Sequence, residues 1–176
     1  DQFLSAGPGF GGSCFKKDIL NLVYLSEYFG LPEVANYWKQ VVLLNTWQQD
    51  RIYKIVLEKL FGTVDGKNIA ILGFSFKANT NDTRESPAIR ISSEFLEEGA
   101  HLSIFDPKVS FEKVEEDFEK ISIDNQGVWR MANSIPEALK NVYAVLILTA
   151  WDEFFGLDWN YLASLMRSPA WVFDTR

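Results

Sequence analysis

The sequence predicts an α/β protein in which a helical region is followed by a parallel sheet with helices on both faces. Two helical patterns with no strand between them fill the first third of the chain, and short apolar runs then alternate with amphipathic segments. The apolar runs are nearly continuous, which is typical of parallel strands buried on both faces. The chain of 176 residues corresponds to about one domain with a helical extension.

The helical region contains two predicted helices. Ser13 is the expected N-cap of the first, which places Cys14 in the first turn and ends the helix at Gly30–Pro32. The second begins at Pro32 and runs to Phe61. At roughly 28 residues it is long for a globular protein, and its apolar stripe is wider than one small domain needs. We therefore expect it to pack against its copy in a homodimer.

The remaining chain alternates predicted strands and helices. The strands are Asn68–Phe74, His101–Phe105, Gly127–Ala132, Tyr143–Thr149 and Ala170–Phe173. The helices are Ala88–Glu98, Phe111–Glu119, Ser134–Lys140 and Asp158–Met166. We expect two units, a loop and helical region over residues 1–62 and a sheet domain over residues 63–176.

Composition excludes several classes of function. Seventeen basic and 24 acidic residues give a net charge of −7, so binding to nucleic acid or to an anionic membrane is not expected. No apolar run is long enough to span a bilayer. With one cysteine and one histidine we expect neither a disulfide framework nor a metal site. This usage fits a reducing compartment and predicts a cytoplasmic protein.

The first candidate site is the glycine-rich run Gly9–Cys14 with the charged residues that follow it. A thiol at a helix N-terminus next to Lys16 and Lys17 is favoured as thiolate, the nucleophilic form. Asp18 lies one turn further on the same face, where a carboxylate can position a water or accept its proton. A buried structural cysteine beside a capping turn is the alternative, because free cysteine is among the most buried residue types.

The second candidate site follows the first predicted strand and covers Phe74–Lys77 and Asp82–Pro87. Ligands of open α/β sheets bind at the carboxyl ends of the strands. The amides of the next helix, with Lys77 and Arg84, suit a phosphate or pyrophosphate. The alternative is a surface loop with solvated Asp–Arg pairs. The G-x-G-x-x-G pattern of Gly7–Gly12 is not a dinucleotide fingerprint, since no strand precedes it.

Four segments carry a resemblance to a known family: FLSAGPGFGGSCFKKD, LPEVANYWKQV, GFSFKANTNDTRESPA and FDTR. They resemble the UDP-glucose 6-dehydrogenases, from Phe3 to Arg176. The resemblance implies a cysteine loop and central dimerisation helix in residues 1–62, and a Rossmann-like UDP-binding domain in residues 63–176. It also implies an N-terminal NAD-binding domain that this chain does not include. Such enzymes oxidise the C6 alcohol of UDP-glucose to a carboxylate by two hydride transfers to NAD.

The resemblance also assigns roles to individual residues. Cys14 matches the nucleophile that forms a thiohemiacetal and then a thioester, and Asp18 matches the carboxylate that assists hydrolysis. Lys17 and Arg84 match residues on the NAD side of the site. The residues that match substrate contacts are Ser5, Gly7, Gly9, Phe10, Gly11, Phe76, Lys77 and Arg176. Ser5 stands where some members carry a basic residue.

Two hypotheses from different classes follow from this. The chain is the catalytic C-terminal part of a nucleotide-sugar dehydrogenase, acting on UDP-glucose or on another sugar such as UDP-N-acetylmannosamine or GDP-mannose. Alternatively, the isolated chain is a non-catalytic module that binds a UDP-sugar and dimerises. A cysteine hydrolase is disfavoured, because no histidine accompanies Cys14 in the sequence. We expect the isolated chain not to reduce NAD.

Overall fold

The computed structural model describes residues 6–121 and 126–176, and the predicted contact residue Ser5 lies outside them. Within these ranges two helices come first, and strands then alternate with helices. The helices are α1 (Phe15–Tyr28), α2 (Pro32–Lys59), α3 (Pro87–Glu97), α4 (Phe111–Glu119), α5 (Ile135–Leu139) and α6 (Trp159–Leu165), with a short 3-10 helix at Asp152–Phe154. The strands are β1 (Asn68–Leu72), β2 (His101–Phe105), β3 (Val128–Met131), β4 (Ala144–Ile147) and β5 (Trp171–Asp174).

The strands form one parallel sheet of order β3-β2-β1-β4-β5. Ile69 at the centre of the sheet pairs with Leu102 on one side and with Ala144 on the other. Because the strands are parallel, the loops that follow β1, β2, β4 and β5 meet at one edge of the sheet. The predicted fold class is confirmed, and the strand order is that of a Rossmann-like sheet.

Each face of the sheet carries its own core, because successive side chains of a strand point to opposite faces. On β1, Ile69 and Ile71 belong to one core and Ala70 and Leu72 to the other. The first core is covered by α2, α3 and α4, and the second by α5, α6 and the 3-10 helix. Alternation between two buried faces explains why β1 and β4 are nearly continuous apolar runs.

The long helix α2 is shared between the helical region and the sheet. Its C-terminal part places Ile52, Tyr53 and Val56 in the first core, and Leu60 follows directly after the helix in the same core. Its N-terminal part lies beside α1. In the described part of the chain, no helix combines the length and the apolar character that crossing a membrane requires.

Two elements have the predicted boundaries, and the others differ from them by one or two residues, for local reasons. The first strand ends at Leu72 rather than Phe74, because the Phe74 amide donates to the Asp106 carboxylate instead of a neighbouring strand. The helix α2 ends at Lys59 rather than Phe61, which takes a left-handed φ of 65°. The 3-10 helix after β4 was not predicted.

Candidate functional site

The cysteine loop (residues 6–14) lies along the carboxyl edge of the sheet. Near its start, Gly7 lies against the side chain of Arg176, which follows β5. Near its end, the Gly12 amide donates to the Arg84 carbonyl in the β1–α3 loop at 2.8 Å. The loop therefore connects the ends of two strands that are separated by β4 in the sheet.

Gly11 and Gly12 allow the cysteine loop to pack closely against Phe76. A Cβ on Gly11 would lie 2.9 Å from the Phe76 Cβ, and one on Gly12 would lie 2.9 Å from the Phe76 ring. Gly12 also has a φ of +87°, which residues with a side chain rarely adopt. Any larger residue at these positions would push the loop away from Phe76, so the glycines are needed for close approach.

Cys14 is exposed, and the alternative of a buried structural cysteine is wrong. The expected N-cap is also corrected, because Cys14 itself is the N-cap residue and α1 begins at Phe15. No side chain caps α1; the Ser13 hydroxyl lies instead 3.6 Å from the Cys14 sulfur. The thiol therefore stands at the N-terminal end of α1, which no side chain caps.

The charged residues next to Cys14 differ in their surroundings. Lys16 forms a 2.8 Å ion pair with Glu85, so its charge is partly compensated. Lys17 and Asp18 are both exposed on the first turn of α1. The Asp18 amide donates to the Cys14 carbonyl at 2.8 Å, which is the first main-chain bond of that turn.

Arg84 reaches solvent beside the thiol. Its side chain is 64% exposed and pairs with Asp82 at 2.7 Å. Hydrogen bonding to Asp82 is the main cause that raises the pKa of Arg84, and the charge of Cys14 raises it slightly further. The same hydrogen bond is the main cause that lowers the pKa of Asp82. An arginine side chain stays protonated in proteins, so Arg84 keeps a positive charge near Cys14.

The first turn of α3 does not provide the free amides that the sequence indicated. The Ser86 side chain accepts from the Ala88 amide at 3.3 Å, and the Ser86 carbonyl accepts from the Ile89 amide at 3.1 Å. Pro87 has no amide hydrogen. The expectation that this helix end binds a phosphate through its amides is therefore wrong, and the side chains of Lys77 and Arg84 remain as the cationic groups of the loop.

Phe76 and Lys77 form the accessible part of the β1–α3 loop. Phe76 is half-buried and Lys77 is exposed, with its Nζ 5.3 Å from the centre of the Phe76 ring. An aromatic face beside a mobile ammonium can stack a base and reach a phosphate. Both residues lie at the carboxyl edge of the sheet, as the sequence predicted.

A buried carboxylate holds this loop in place. Asp106 Oδ2 accepts hydrogen bonds from the Phe74 amide at 2.7 Å, from the Ser75 amide at 3.0 Å and from Trp151 Nε1 at 3.2 Å. Its other oxygen accepts from the amides of Lys108 and Val109. Since these donors come from the loops after β1, β2 and β4, Asp106 fixes three strand ends relative to one another.

Arg176 brings a cation to the other end of the site. Its Nε donates to the Leu148 carbonyl at 2.9 Å, and its guanidinium lies against Gly7. Burial around the guanidinium lowers the pKa of Arg176, although the residue as a whole is exposed. Among the described residues no carboxylate lies within ion-pair distance of it, and it borders a cavity of about 450 Å³. A cation in this position is available to an anionic ligand.

The sequence analysis missed the residues that hold the two loops of the site through hydrogen bonds to their main chains. Asn45 and Gln48 on α2 bond to the main chain of the cysteine loop, and Asp106 binds the β1–α3 loop. Asn45 gave a weak signal, because it interrupts the apolar stripe of the long helix. Asp106 gave another, because it stands directly after a predicted strand and before a proline.

Comparison with known proteins gives matches over nearly the whole chain. A profile described as the UDP-binding domain of the UDP-glucose/GDP-mannose dehydrogenase family matches residues 70–176, and the central domain of that family matches residues 1–47. UDP-glucose 6-dehydrogenase 3 of Oryza sativa subsp. japonica is 45% identical over 99% of this chain, and the UDP-glucose 6-dehydrogenase of Drosophila melanogaster is 46% identical over 99%. The chain spans 39% and 38% of their lengths, respectively.

A solved structure shows the same fold. The UDP-glucose dehydrogenase from the hyperthermophilic archaeon Pyrobaculum islandicum has a TM-score of 0.73 at 31% identity, and the match covers 97% of this chain and 35% of that one. The sequence and structure matches therefore agree on the same group of proteins.

Proposed function

The chain belongs to the UDP-glucose/GDP-mannose dehydrogenase family, and we propose that it is the C-terminal part of an NAD-dependent enzyme that oxidises UDP-glucose to UDP-glucuronate. One observation supports this most directly. A single glycine-rich loop touches Arg176 near its start, Phe76 and the Arg84 main chain near its end, and then presents the exposed thiol of Cys14. These contacts support a site for a nucleoside diphosphate that lies on the same short segment as the nucleophile.

The proposed substrate site extends along the carboxyl edge of the sheet. Phe76 contacts the uridine and Lys77 a phosphate, while Arg176 contacts the substrate at the far end. The glycine positions of the loop, with Phe10, line the sugar nucleotide; these are Gly7, Gly9 and Gly11. Although the chain carries a net charge of −7, the cations at this edge make a local site for a diphosphate.

The proposed chemistry needs a thiol that can hold an aldehyde. Once C6 of the sugar is an aldehyde, the Cys14 thiolate attacks it and forms a carbon–sulfur bond, so the aldehyde does not escape. Loss of a hydride from that adduct gives a thioester, which water cleaves to a carboxylate and the free thiol. Asp18, one helical turn from Cys14, accepts the proton of the attacking water. Each of the two oxidations releases one hydride, which NAD would accept when it is bound.

The cofactor side of the site is proposed at Lys17 and Arg84. Both side chains are exposed near the thiol, and cations suit the phosphates of a dinucleotide. The main chain of the turn after β1 is not available to a dinucleotide. The amides of Phe74 and Ser75 donate instead to the buried carboxylate of Asp106. NAD supplies hydride acceptance when it is bound, and we propose that an N-terminal domain outside this chain provides most of its contacts.

The proposal includes the domain organisation and the assembly. Residues 1–62 form the cysteine-loop and helical region, and residues 63–176 form the UDP-binding domain. Large apolar side chains on α2 are exposed, including Tyr37, Leu44 and Trp47 at 67%, 63% and 55%. A second copy of the chain covers this face in a homodimer. The protein acts in the cytoplasm, where Cys14 stays reduced.

Calorimetric titration of this chain tests the substrate assignment. We expect UDP-glucose to bind more tightly than UDP-N-acetylglucosamine or GDP-mannose. Arg176→Ala should weaken UDP-glucose binding at least tenfold, because it removes a cation from the diphosphate or sugar end of the site. Arg167→Ala, a change at an exposed arginine that faces Tyr143, is the matched control. Tighter binding of GDP-mannose would identify another nucleotide sugar as substrate, and absence of binding to all three would contradict the proposal.

Alkylation of Cys14 tests the catalytic role. We expect iodoacetamide to modify Cys14 faster than a model thiol at pH 7, and UDP-glucose to slow the reaction by occupying the neighbouring site. The isolated chain should not reduce NAD, because the proposed hydride acceptor site lies mainly outside it. A thiol that stays unreactive up to pH 9 would argue against a nucleophilic role. In that case the chain would be a non-catalytic UDP-sugar-binding module.

A further inference from the structure

We propose that Asn45 is a positioning residue of this site, which fixes the cysteine loop and the start of α1 through the main chain of Phe10. This inference rests on the proposed function, because it concerns how the thiol and the sugar are brought together. Asn45 lies on α2, in the region where the helix passes from its exposed part to its buried part.

Two hydrogen bonds carry the argument. Asn45 Oδ1 accepts from the Phe10 amide at 2.8 Å, and Asn45 Nδ2 donates to the Phe10 carbonyl at 3.1 Å. One side-chain amide thus satisfies both main-chain groups of a single residue, as a neighbouring strand would. Both residues are half-buried, so water competes little for these groups.

A second bond extends the attachment of the loop to α2. Gln48, which lies three positions after Asn45 and therefore on the same helix face, donates to the Gly7 carbonyl at 3.0 Å. Between the two bonds, Gly9 has a φ of +119°, and a Cβ there would lie 2.7 Å from Asn45 Oδ1. The glycine lets the loop approach closely enough for the amide of Asn45 to reach Phe10.

Phe10 is linked to Cys14 in two ways, along the chain and through space. Along the chain, Cys14 follows Phe10 by four residues. Through space, the Phe10 ring packs edge-on against the Phe15 ring, with centroids 4.6 Å apart, and Phe15 is the first residue of α1. Fixing Phe10 therefore fixes the residues on both sides of Cys14, without any contact between Asn45 and the reacting atoms.

The chemistry requires an amide at this position. Aspartate has the same shape and still accepts from the Phe10 amide, but it loses the donor and places a negative charge against the Phe10 carbonyl. Alanine loses both bonds and leaves the two main-chain groups of Phe10 without this partner. We therefore expect a graded effect in which Asn45→Asp is milder than Asn45→Ala.

The experiment compares Asn45→Ala and Asn45→Asp with the control variants Asn36→Ala and Asn36→Asp, since Asn36 is an exposed asparagine of the same helix. The readouts are the affinities for UDP-glucose and for UDP, the alkylation rate of Cys14 with and without UDP-glucose, and thermal unfolding. In Asn45→Ala we expect UDP-glucose affinity to fall about tenfold and UDP affinity to change less, because the uridine contacts lie on Phe76 and Lys77. Protection of Cys14 by UDP-glucose should fall in parallel, and the Asn36 variants should match the parent chain.

Each outcome decides the inference. A purely structural role would lower the unfolding temperature and leave the ratio of UDP-glucose to UDP affinity and the alkylation rates unchanged in the folded protein, which would overturn it. If Asn45→Ala does not fold, Asn45→Asp decides by the same readouts. If the parent chain does not bind UDP-glucose, the proposed function fails. The alkylation rates without ligand then still test whether Asn45 positions Cys14.

Discussion

The two halves of α2 carry similar apolar residues in very different surroundings. In the first half, Val34 and Leu44 are 42% and 63% exposed. In the second half, Ile52 and Val56 are 7% and 0% exposed, in the core against the sheet. Asn45 lies where one half passes into the other and holds the cysteine loop. A single helix thus covers the sheet at one end, supports the site in its middle and leaves an apolar surface at the other end.

This difference in exposure shows that the apolar stripe of α2 has two causes, one in each half of the helix. The buried half is explained within the chain, because it packs on α3 and belongs to the first core. The exposed half is not explained by α1, which lies beside it and carries exposed apolar residues of its own, such as Leu25 and Tyr28. Apolar surface of this extent favours a protein partner, and a second copy is the partner we propose.

The largest expected effect comes from truncating one leucine of the exposed half and one leucine that directly follows the buried half. Leu60, which is 3% exposed directly after α2, should lose about 3 kcal/mol of unfolding free energy on replacement by alanine, because a cavity remains. Leu44→Ala, at 63% exposure, should change that free energy by less than about 0.5 kcal/mol in dilute monomer. Urea unfolding at matched concentration measures both. Similar losses at the two positions would contradict the division of the helix.

The second prediction concerns association. Leu44→Glu should raise the dimer dissociation constant about a hundredfold, because a carboxylate in an apolar interface loses its hydration. Sedimentation or light scattering over a concentration series measures this. Val128→Glu is the control, since Val128 is 59% exposed on the edge strand β3, away from α2. A parent chain that stays strictly monomeric at high concentration would contradict the proposed dimer.

The sheet could be predicted from the sequence because its inner strands share one environment, in which both faces are buried. Buried parallel strands need continuous apolar runs, and each run was found within a few residues of its place. The predicted strand ends were less accurate where a hydrogen bond to a side chain outside the strand ends it. The end of β1 depends on the carboxylate of Asp106, which is 32 residues away from Phe74 in the chain. Local patterns do not contain such a long-range hydrogen bond.

The site was predicted in part for a similar reason. Cys14 and Lys77 stand out in the sequence by their type and place, and Arg176 was assigned through the family resemblance; the structure places all three along one edge of the sheet. The residues that hold them, Asn45 and Asp106, act through main-chain groups of other segments. Their role becomes visible only once the fold brings those segments together. The sequence also could not show whether the first amides of α3 are free, because the Ser86 side chain can either accept from them or point elsewhere.

The smallest expected effect is a pH dependence that only the buried half should show. Burial is the main cause that raises the pKa of Tyr53 to about 12, and the nearby carboxylates of Glu98, Glu94 and Glu97 raise it further. In the unfolded chain a tyrosine has a pKa near about 10. Below pH 10 the phenol is protonated in both states, so it gives no pH dependence there.

Between pH 10 and 12 the unfolded chain releases this proton and the folded protein keeps it. The unfolded state is then favoured, and the free energy of unfolding falls by up to about 1.4 kcal/mol for each pH unit. Tyr53→Phe removes the group, so its unfolding free energy should fall less steeply in this range. Tyr37→Phe, at an exposed position of the first half, is the control, and in dilute monomer its curve should run parallel to that of the parent chain. Other groups also titrate in this range, so the difference between the parent chain and each variant is the quantity to compare. Parallel curves for the parent chain and Tyr53→Phe would show that the phenol of Tyr53 is not held in the core, and would weaken the assignment of this half of α2 to the sheet.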